Sequence, residues 1–306
     1  LESGKAGRYT IAGLMPDEVI FGKGPKCRKA VRDGSEWSIQ SIGEGKPLEQ
    51  VRSWMLANKA PKLDIGLDMH GGAIGYWSYD VVRSLEKIPE QAADDLALPD
   101  YLFMRFGHLW IADHDEKALY TLVHLPVEPG WTPDKLAEQF AEARRISDWM
   151  VRKWENWLAE AGSSDGLRLQ EMRRRIDEDG LDLDVEKLPG LATSMSKESY
   201  QDAVCKVQEY IRQGDVFQVN LSLRQSLPAG APAEELYEWL RLMNPSPYMG
   251  VLRTPDFALV SASPELLIQL KEGRMVTRPI AGTRRRGRTP GEDLTMEDEL
   301  LTSEKE

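Results

Sequence analysis

The sequence predicts an α+β fold in which large antiparallel β-sheets are flanked by helices. Two observations favour this class. Short strand-like runs punctuated by glycine dominate the first part of the chain, and helices alternate with strands across short turns in the last part. With 306 residues and 41% hydrophobic composition, the chain can bury one large core or two ordinary ones. We expect three regions: residues 1–145, 146–195 and 196–306.

The first region, residues 1–145, is sheet-rich. Its candidate strands are residues 8–13, 72–77 and 109–112, and each is rich in apolar or aromatic side chains. The third candidate strand meets a polar run at residues 113–116, which is typical of a turn.

The second region, residues 146–195, is a helical, charged connecting arm. A helical pattern of apolar residues begins before it, and these residues are Leu136, Phe140, Ile146, Trp149, Trp154 and Leu158. We interpret Trp149, Trp154 and Trp157 as packing residues rather than a ligand-binding box, because amphipathic helices bury such a face.

The third region begins with a helix and a strand. Ser196 is a suitable N-cap, and Gly214 is a suitable end for a helix whose apolar face is Tyr200, Val204, Val207 and Ile211. Residues 217–224 alternate strictly between apolar and polar, which predicts a strand with Gln218 and Asn220 on one face. A helix at 234–243 and strands at 249–252, 257–261 and 275–280 are predicted after it.

Charge and composition exclude several classes of protein. A formal net charge of -11 argues against nucleic-acid binding, which needs a basic face to displace counterions. No apolar run is long enough for a membrane span, and the first residues do not resemble a secretory signal. Cys27 and Cys205 lie far apart and match no metal spacing, which favours reduced thiols and a cytoplasmic protein. Because Leu1 is not methionine, we expect natural residues to precede it.

Three motifs in the third region occur together in order. Residues 214–222 read GDVFQVNLS and residues 244–249 read NPSPYM. Residues 263–265 read SPE and are followed by RPIAGTR at 278–284. With LES at the start and GGAIGY at 71–76, this set resembles the chorismate-utilising enzymes over essentially the whole chain except the arm. The resemblance implies an anthranilate synthase-like fold, with residues 196–306 as the start of the chorismate-binding catalytic region.

Glu265 is the candidate general acid or base. It follows a Ser-Pro turn at a strand end, and a carboxyl group serves this role where burial raises its pKa into the working range. From residue type alone, a solvated loop glutamate is the other interpretation. The resemblance implies that Glu265 donates and accepts protons.

Gly282 and Thr283 are candidate substrate contacts. A glycine lets backbone N–H groups approach a carboxylate, and threonine adds a hydroxyl donor, although an ordinary turn has the same residues. By resemblance these two residues, with Ala281 before them, contact chorismate. The arginines that follow are too many for one ring-sized anion, so we expect most to form a solvated face.

Gln218 and Ala281 bear on which nucleophile is added. Relatives that add water usually carry lysine at the place of Gln218, and glutamine cannot act as that base. The resemblance therefore favours the branch that adds ammonia. Some aminodeoxychorismate synthases use a covalent lysine at the place of Ala281, whereas alanine is usual there in anthranilate synthases. The flanking segments favour the aminodeoxychorismate subgroup of the folate and 4-aminobenzoate pathway, with anthranilate synthase component I of the tryptophan pathway as the alternative.

A tryptophan-like pocket is also implied by the resemblance. A hydroxyl, an aromatic ring and apolar walls suit an amino-acid side chain, although packing between sheets explains the same residues. The pocket residues would be Ser3, Arg8, Tyr9, Pro247, Tyr248 and Met249.

The resemblance further implies a cofactor and partners. Relatives continue beyond the position of Glu306 into segments that bind Mg²⁺, so we expect the metal ligands beyond residue 306 and none within the chain. We therefore expect this fragment to be inactive by itself. A glutamine amidotransferase subunit would supply ammonia. The competing hypothesis is a non-catalytic fragment that binds tryptophan and the glutaminase subunit.

Overall fold

The computed structural model describes residues 7–61, 63, 65–67, 69–161, 165–179, 184–280, 282–287 and 289–303. Ser3 and Ala281 lie outside these ranges. The strands are β1 (Tyr9–Ala12), β2 (Glu18–Lys23), β3 (Lys26–Asp33), β4 (Glu36–Glu44), β5 (Ala73–Trp77), β6 (Tyr101–Arg105), β7 (His108–Asp113), β8 (Ala118–Val123), β9 (Ala192–Thr193), β10 (Gln225–Ser226), β11 (Tyr248–Arg253), β12 (Ala258–Ser263), β13 (Leu266–Lys271) and β14 (Arg274–Arg278). The helices are α1 (Pro47–Ala57), α2 (Pro133–Ala161), α3 (Asp165–Asp179), α4 (Lys197–Gln213), α5 (Ala233–Met243) and α6 (Pro290–Leu301).

A five-stranded antiparallel sheet forms the centre of the first region, in the order β4-β3-β2-β6-β5. Helix α1 covers one face, where Val51 and Trp54 pack with Ile20 of β2. The Trp54 indole N–H donates to the buried Glu18 carboxylate at 2.7 Å. This bond satisfies two polar groups that would be costly to bury alone.

A second sheet of three strands has the order β1-β7-β8. Ile11 and Ile111 are directly opposite each other in the β1–β7 register. The two sheets share a core, because Leu109 of β7 clusters with Met104 and Phe106, and Ile11 packs against that cluster. The predicted strands at 8–13, 72–77 and 109–112 are confirmed.

Helix α2 lies against the three-stranded sheet. Its Met150 is 0% exposed, and the backbone carbonyl of Met150 accepts a hydrogen bond from the Trp110 indole at 3.1 Å. The rings of Trp149 and Trp157 lie 6.2 and 5.5 Å from that of Trp110, so the packing role predicted for these two residues is confirmed. Because α2 runs through position 145, the predicted boundary there falls within a helix.

The third region contains helices and two-stranded hairpins. Helix α4 begins and ends as predicted, since the Ser196 side chain accepts from the Ser199 N–H and Gly214 has φ +83°. Helix α5 and the hairpin β11–β12 are also confirmed. A second hairpin, β13–β14, follows. The α+β prediction is confirmed, with antiparallel sheets and flanking helices.

The predicted strand at 217–224 is wrong for the described chain. Only Gln225 and Ser226 pair, with β9, and the Phe217 side chain is 100% exposed. Alternation indicates which side chains share a face, but a strand also needs a neighbour for its N–H and C=O groups. Among the described residues, no strand pairs with 217–223.

No helix in the described ranges has the length and apolar composition that crossing a membrane requires.

Candidate functional site

Glu265 lies in the short connection between β12 and β13. Its carboxylate Oε1 accepts a hydrogen bond from the backbone N–H of Ile280 at 3.0 Å. Its side chain is exposed, so the burial considered for this residue is not found in the described chain. The physical reason is that Glu265 leads into the hairpin β13–β14, whose residues are mostly exposed themselves.

Gly282 and Thr283 follow strand β14, which pairs with the strand that begins directly after Glu265. Leu266 is opposite Arg278 in the β13–β14 register, which brings the start of β13 next to the segment leading to Gly282. Gly282 has φ +74°, a left-handed conformation that glycine adopts without steric cost. Thr283 is exposed. Glu265 and the loop at 282–283 therefore share one end of a hairpin, whereas Ala281 lies outside the described residues.

Arg284, Arg285 and Arg286 are paired with acidic residues of helix α6. The Arg284 guanidinium lies 3.4 Å from Glu299, and the Arg286 guanidinium lies 2.8 Å from Asp293. Arg285 pairs with Glu292. These exposed pairs agree with the predicted solvated face, because each charge already has an acidic neighbour.

Gln218 lies in the segment 217–223, which pairs with no strand among the described residues. Its side-chain amide donates to the Asn220 side chain at 3.4 Å, and Gln218 is exposed. The segment is fixed at its far end, where the Arg224 guanidinium donates two hydrogen bonds to Asp95. There the Arg224 N–H also donates to the Ser194 hydroxyl, and the Arg224 carbonyl accepts from the Ser194 N–H. Within the described part of the chain, no hydrogen bond joins Gln218 to Glu265 or to Gly282.

Arg8 of the predicted amino-acid pocket is held by acidic groups. Its guanidinium donates to the Asp113 carboxylate at 2.9 and 3.1 Å and to Glu116 at 3.0 Å. The Arg8 guanidinium holds the pKa of the Asp113 carboxyl below its ordinary value, and the N–H groups of Asp115 and Glu116 add to this effect. Arg8 also lies 5.0 Å from the centre of the Tyr9 ring. These contacts hold Arg8 at the start of β1, and its part in an amino-acid pocket stays a prediction.

The run Pro247, Tyr248 and Met249 begins strand β11. Met249 is 1% exposed, and Tyr248 lies opposite Ser263 in the β11–β12 register. Burial of Met249 fits the packing interpretation of this run. Ser3 lies outside the described residues, so its contribution to a pocket stays a prediction.

A cavity of about 420 Å³ lies further along the same two segments. Thr10–Leu14 lines one side, and Val251–Arg253 lines the other. The segment after Tyr9 and strand β11 therefore line one cavity. Its lining residues follow the predicted pocket residues in each segment. Sequence reasoning missed Glu234 and Arg253, which form an ion pair and line this cavity. They are 19 positions apart, and no local spacing rule connects residues that far apart across a helix and a turn.

A divalent metal has no evident site among the described residues. Hard cations such as Mg²⁺ require several oxygen ligands at one place. No group of three or more histidine, cysteine, aspartate or glutamate residues converges within the described ranges. The described residues therefore do not fit the ion.

Comparison with known proteins places these features in context. A family model described as chorismate binding enzyme matches residues 8–306. The chain is 35% identical over 306 residues to aminodeoxychorismate synthase component 1 of Bacillus subtilis (strain 168), covering 100% of this chain and 58% of that protein. It is 42% identical over 237 residues to anthranilate synthase component 1 of Thermus thermophilus, covering 77% of this chain and 44% of that protein.

A solved structure shares the fold. Anthranilate synthase component I from Streptococcus pneumoniae TIGR4 superimposes with a TM-score of 0.67 at 24% sequence identity, covering 100% of this chain and 59% of that one. The chain thus spans less than two thirds of the length of these relatives.

Proposed function

Because this chain belongs to the family of chorismate binding enzymes, we propose that the protein containing it aminates chorismate to 4-amino-4-deoxychorismate. The observation that carries the proposal is the hydrogen bond from the Ile280 N–H to the Glu265 carboxylate. It puts an ionisable group beside the loop that leads to Gly282 and Thr283. This is the combination needed to hold a substrate carboxylate and to transfer a proton at the same place.

In the proposed reaction, a C–N bond to ammonia forms and a C–O bond to a ring hydroxyl breaks. Glu265 in its acid form donates a proton to the departing hydroxyl, which leaves as water. The resulting carboxylate then takes a proton from the added nitrogen, so Glu265 returns to its starting state. The Gly282 N–H and the Thr283 hydroxyl hold a substrate carboxylate.

Gln218 supports ammonia rather than water as the nucleophile. An amide side chain has no basic site that could remove a proton from water, whereas ammonia needs no such activation. Similarity to the aminodeoxychorismate synthase of Bacillus subtilis over the whole chain also supports the choice. We assign the product to the folate and 4-aminobenzoate pathway, where a pyruvate-releasing lyase would act next.

Anthranilate synthesis is the second candidate function. Ala281 favours it, since the covalent lysine of some aminodeoxychorismate synthases is absent. Similarity to anthranilate synthase component 1 of Thermus thermophilus favours it as well. In both candidates a glutamine amidotransferase subunit would supply ammonia and Mg²⁺ would be required. The alternative of another class is that this chain, acting alone, is a non-catalytic module that binds the glutaminase subunit and tryptophan.

Product identity tests these proposals. The natural protein, over its whole length, is incubated with chorismate, Mg²⁺ and ammonium, with and without the lyase, and products are identified by mass and fluorescence. We expect 4-aminobenzoate only when the lyase is present. Fluorescent anthranilate without the lyase would replace our first choice with the second. Tryptophan binding with no consumption of chorismate would support the non-catalytic module.

A further inference from the structure

The connection that carries Glu265 is a corner between two sheets. Strand β12 pairs with β11, and strand β13 pairs with β14, so the chain leaves one hairpin and enters another. Only Pro264 and Glu265 separate Ser263 of β12 from Leu266 of β13. The conformation of this corner therefore decides where the Glu265 side chain lies.

The Ser263 hydroxyl spans the corner. Its Oγ accepts a hydrogen bond from the Glu265 N–H at 3.2 Å and donates to the Glu265 carbonyl oxygen at 3.3 Å. One hydroxyl can do both, since it has one donor and two acceptor positions. Pro264 has no backbone N–H, and its φ is restricted. The Glu265 N–H is therefore the first backbone donor after Ser263 that can bond to the Ser263 Oγ.

The Glu265 carboxylate is held separately from its backbone. The Ile280 N–H donates to Oε1 at 3.0 Å, and Ile280 is two positions before Gly282. Among the described residues, no hydrogen bond joins Ser263 to Ile280 directly. The hydrogen-bonded route from the Ser263 hydroxyl to the Ile280 amide therefore runs through Glu265.

We propose that Ser263 is a positioning residue, whose hydroxyl fixes the corner so that the Glu265 carboxylate meets the backbone N–H of Ile280. The catalytic consequence rests on the proposed function. The geometric consequence does not, because the contact between Glu265 and Ile280 exists without substrate. Ser263→Ala should leave the β11–β12 ladder intact, since that ladder is made by backbone groups.

Amide hydrogen exchange tests the geometry in the chain itself. We expect the Ile280 amide to exchange at least about threefold faster in Ser263→Ala than in the wild type, because its acceptor is no longer held in place. Ser261→Ala is the matched control: it removes a hydroxyl on the same face of β12 that donates to the Gly250 carbonyl at 3.4 Å. It should leave Ile280 unchanged. Equal exchange of Ile280 in Ser263→Ala and wild type would overturn the proposal.

Kinetics of the natural protein over its whole length test the catalytic consequence. In Ser263→Ala we expect kcat for chorismate consumption to fall about tenfold, whereas KM changes less than about twofold. Ser263→Thr keeps a hydroxyl and should retain most of the wild-type rate. In a Glu265→Gln background, Ser263→Ala should change the residual rate less than about twofold. A full additional loss in that background would show that Ser263 acts independently of Glu265 and would overturn the positioning role.

Failure of the proposed function gives a different pattern. A wild-type protein that consumes no chorismate with ammonium would refute the amination, while the Ile280 exchange result would still decide whether Ser263 positions Glu265. Consumption of chorismate to a product other than 4-amino-4-deoxychorismate would change the reaction and leave the mutant comparison valid, because the assay follows the substrate.

Discussion

Glutamine at position 265 would keep the size and the hydrogen-bond acceptor of the glutamate but remove its proton-transfer group. We expect Glu265→Gln to lower kcat for chorismate consumption by about 10²–10⁴-fold, the usual contribution of general acid–base catalysis. Steady-state assays on the natural protein over its whole length provide the measurement. Glu36→Gln, at an exposed position of β4, is the control and should retain full activity. A kcat within about threefold of the wild type would remove Glu265 from the proposed mechanism.

The Asp113 side chain is 0% exposed and accepts hydrogen bonds from Arg8. Because its pKa is lowered in the folded protein, Asp113 stabilises the fold at pH values above the ordinary aspartate pKa of about 3.9. This stabilisation is lost as the pH falls through the lowered pKa.

We therefore expect Asp113→Asn to lower the thermal midpoint at pH 7, and the difference from wild type to shrink as the pH falls below about 4. Thermal melts across this pH range provide the measurement. Asp115→Asn, at an exposed neighbouring position, should show a much smaller difference at every pH. A difference for Asp113→Asn that stays constant down to the lowest pH would contradict the ionic explanation.

The motifs single out side chains that can carry chemistry, and their catalytic and binding roles stay predictions; the motifs do not predict the surroundings of these side chains. Glu265 and Gly282 were identified from the motif, and the hairpin places them at one end. The partner of Arg8 was not predictable, because Asp113 is 105 positions away and only strand pairing brings the two together. Contacts of this range follow from topology, which local patterns do not specify.

At the scale of single elements, helix α4 offers a clean test of its N-cap. The Ser196 side chain accepts from the Ser199 N–H at 3.2 Å, which satisfies one of the free donors at the helix start. We expect Ser196→Ala to reduce the free energy of unfolding by about 1 kcal/mol. Urea denaturation gives the value. Gln201→Ala, exposed within the same helix, should change it by less than about 0.5 kcal/mol. Equal effects of the two changes would argue that the cap does not stabilise α4.

Helices α4 and α5 were predicted close to their observed bounds, whereas α1 and α6 were not assigned from the sequence, and the strand at 217–224 was the clearest error. The signals for α4 are local, since the cap, the apolar face and Gly214 all lie within the helix or beside it. A strand depends on a neighbour that local alternation cannot identify. The hairpin β2–β3 and strand β4 were not assigned from the sequence either, although Gly24 and Gly34 mark both turns with positive φ.

At the scale of the whole molecule, Met150 joins helix α2 to the three-stranded sheet. It is 0% exposed and its carbonyl receives the Trp110 indole N–H. We expect Met150→Ala to cost about 2–5 kcal/mol of unfolding free energy, because a buried side chain is replaced by a cavity. Chemical denaturation, followed by tryptophan fluorescence, provides the measurement. Val151→Ala, next to it and 40% exposed, should cost much less. A cost below about 1 kcal/mol for Met150→Ala would mean that α2 contributes little to the fold.

The α+β class and the family were accessible from the sequence because they depend on patterns and motifs spread along the chain. How the two sheets share one core was not accessible, since Val19 of β2 and Leu109 of β7 belong to different sheets and meet only in the buried cluster between them. The division at residues 145 and 195 stays a prediction. So does the location of the magnesium ligands.

The hairpin β13–β14 has a consequence for handling the protein. Leu267 is 88% exposed and Leu270 is 73% exposed, and no other strand pairs with this hairpin in the part of the chain that the structure describes. Apolar side chains beside open strand edges are templates for intermolecular β-pairing. Purified at high concentration, the chain should therefore self-associate. The apparent molecular mass from light scattering should rise with protein concentration. Replacement of Leu267 and Leu270 by charged residues should reduce this rise.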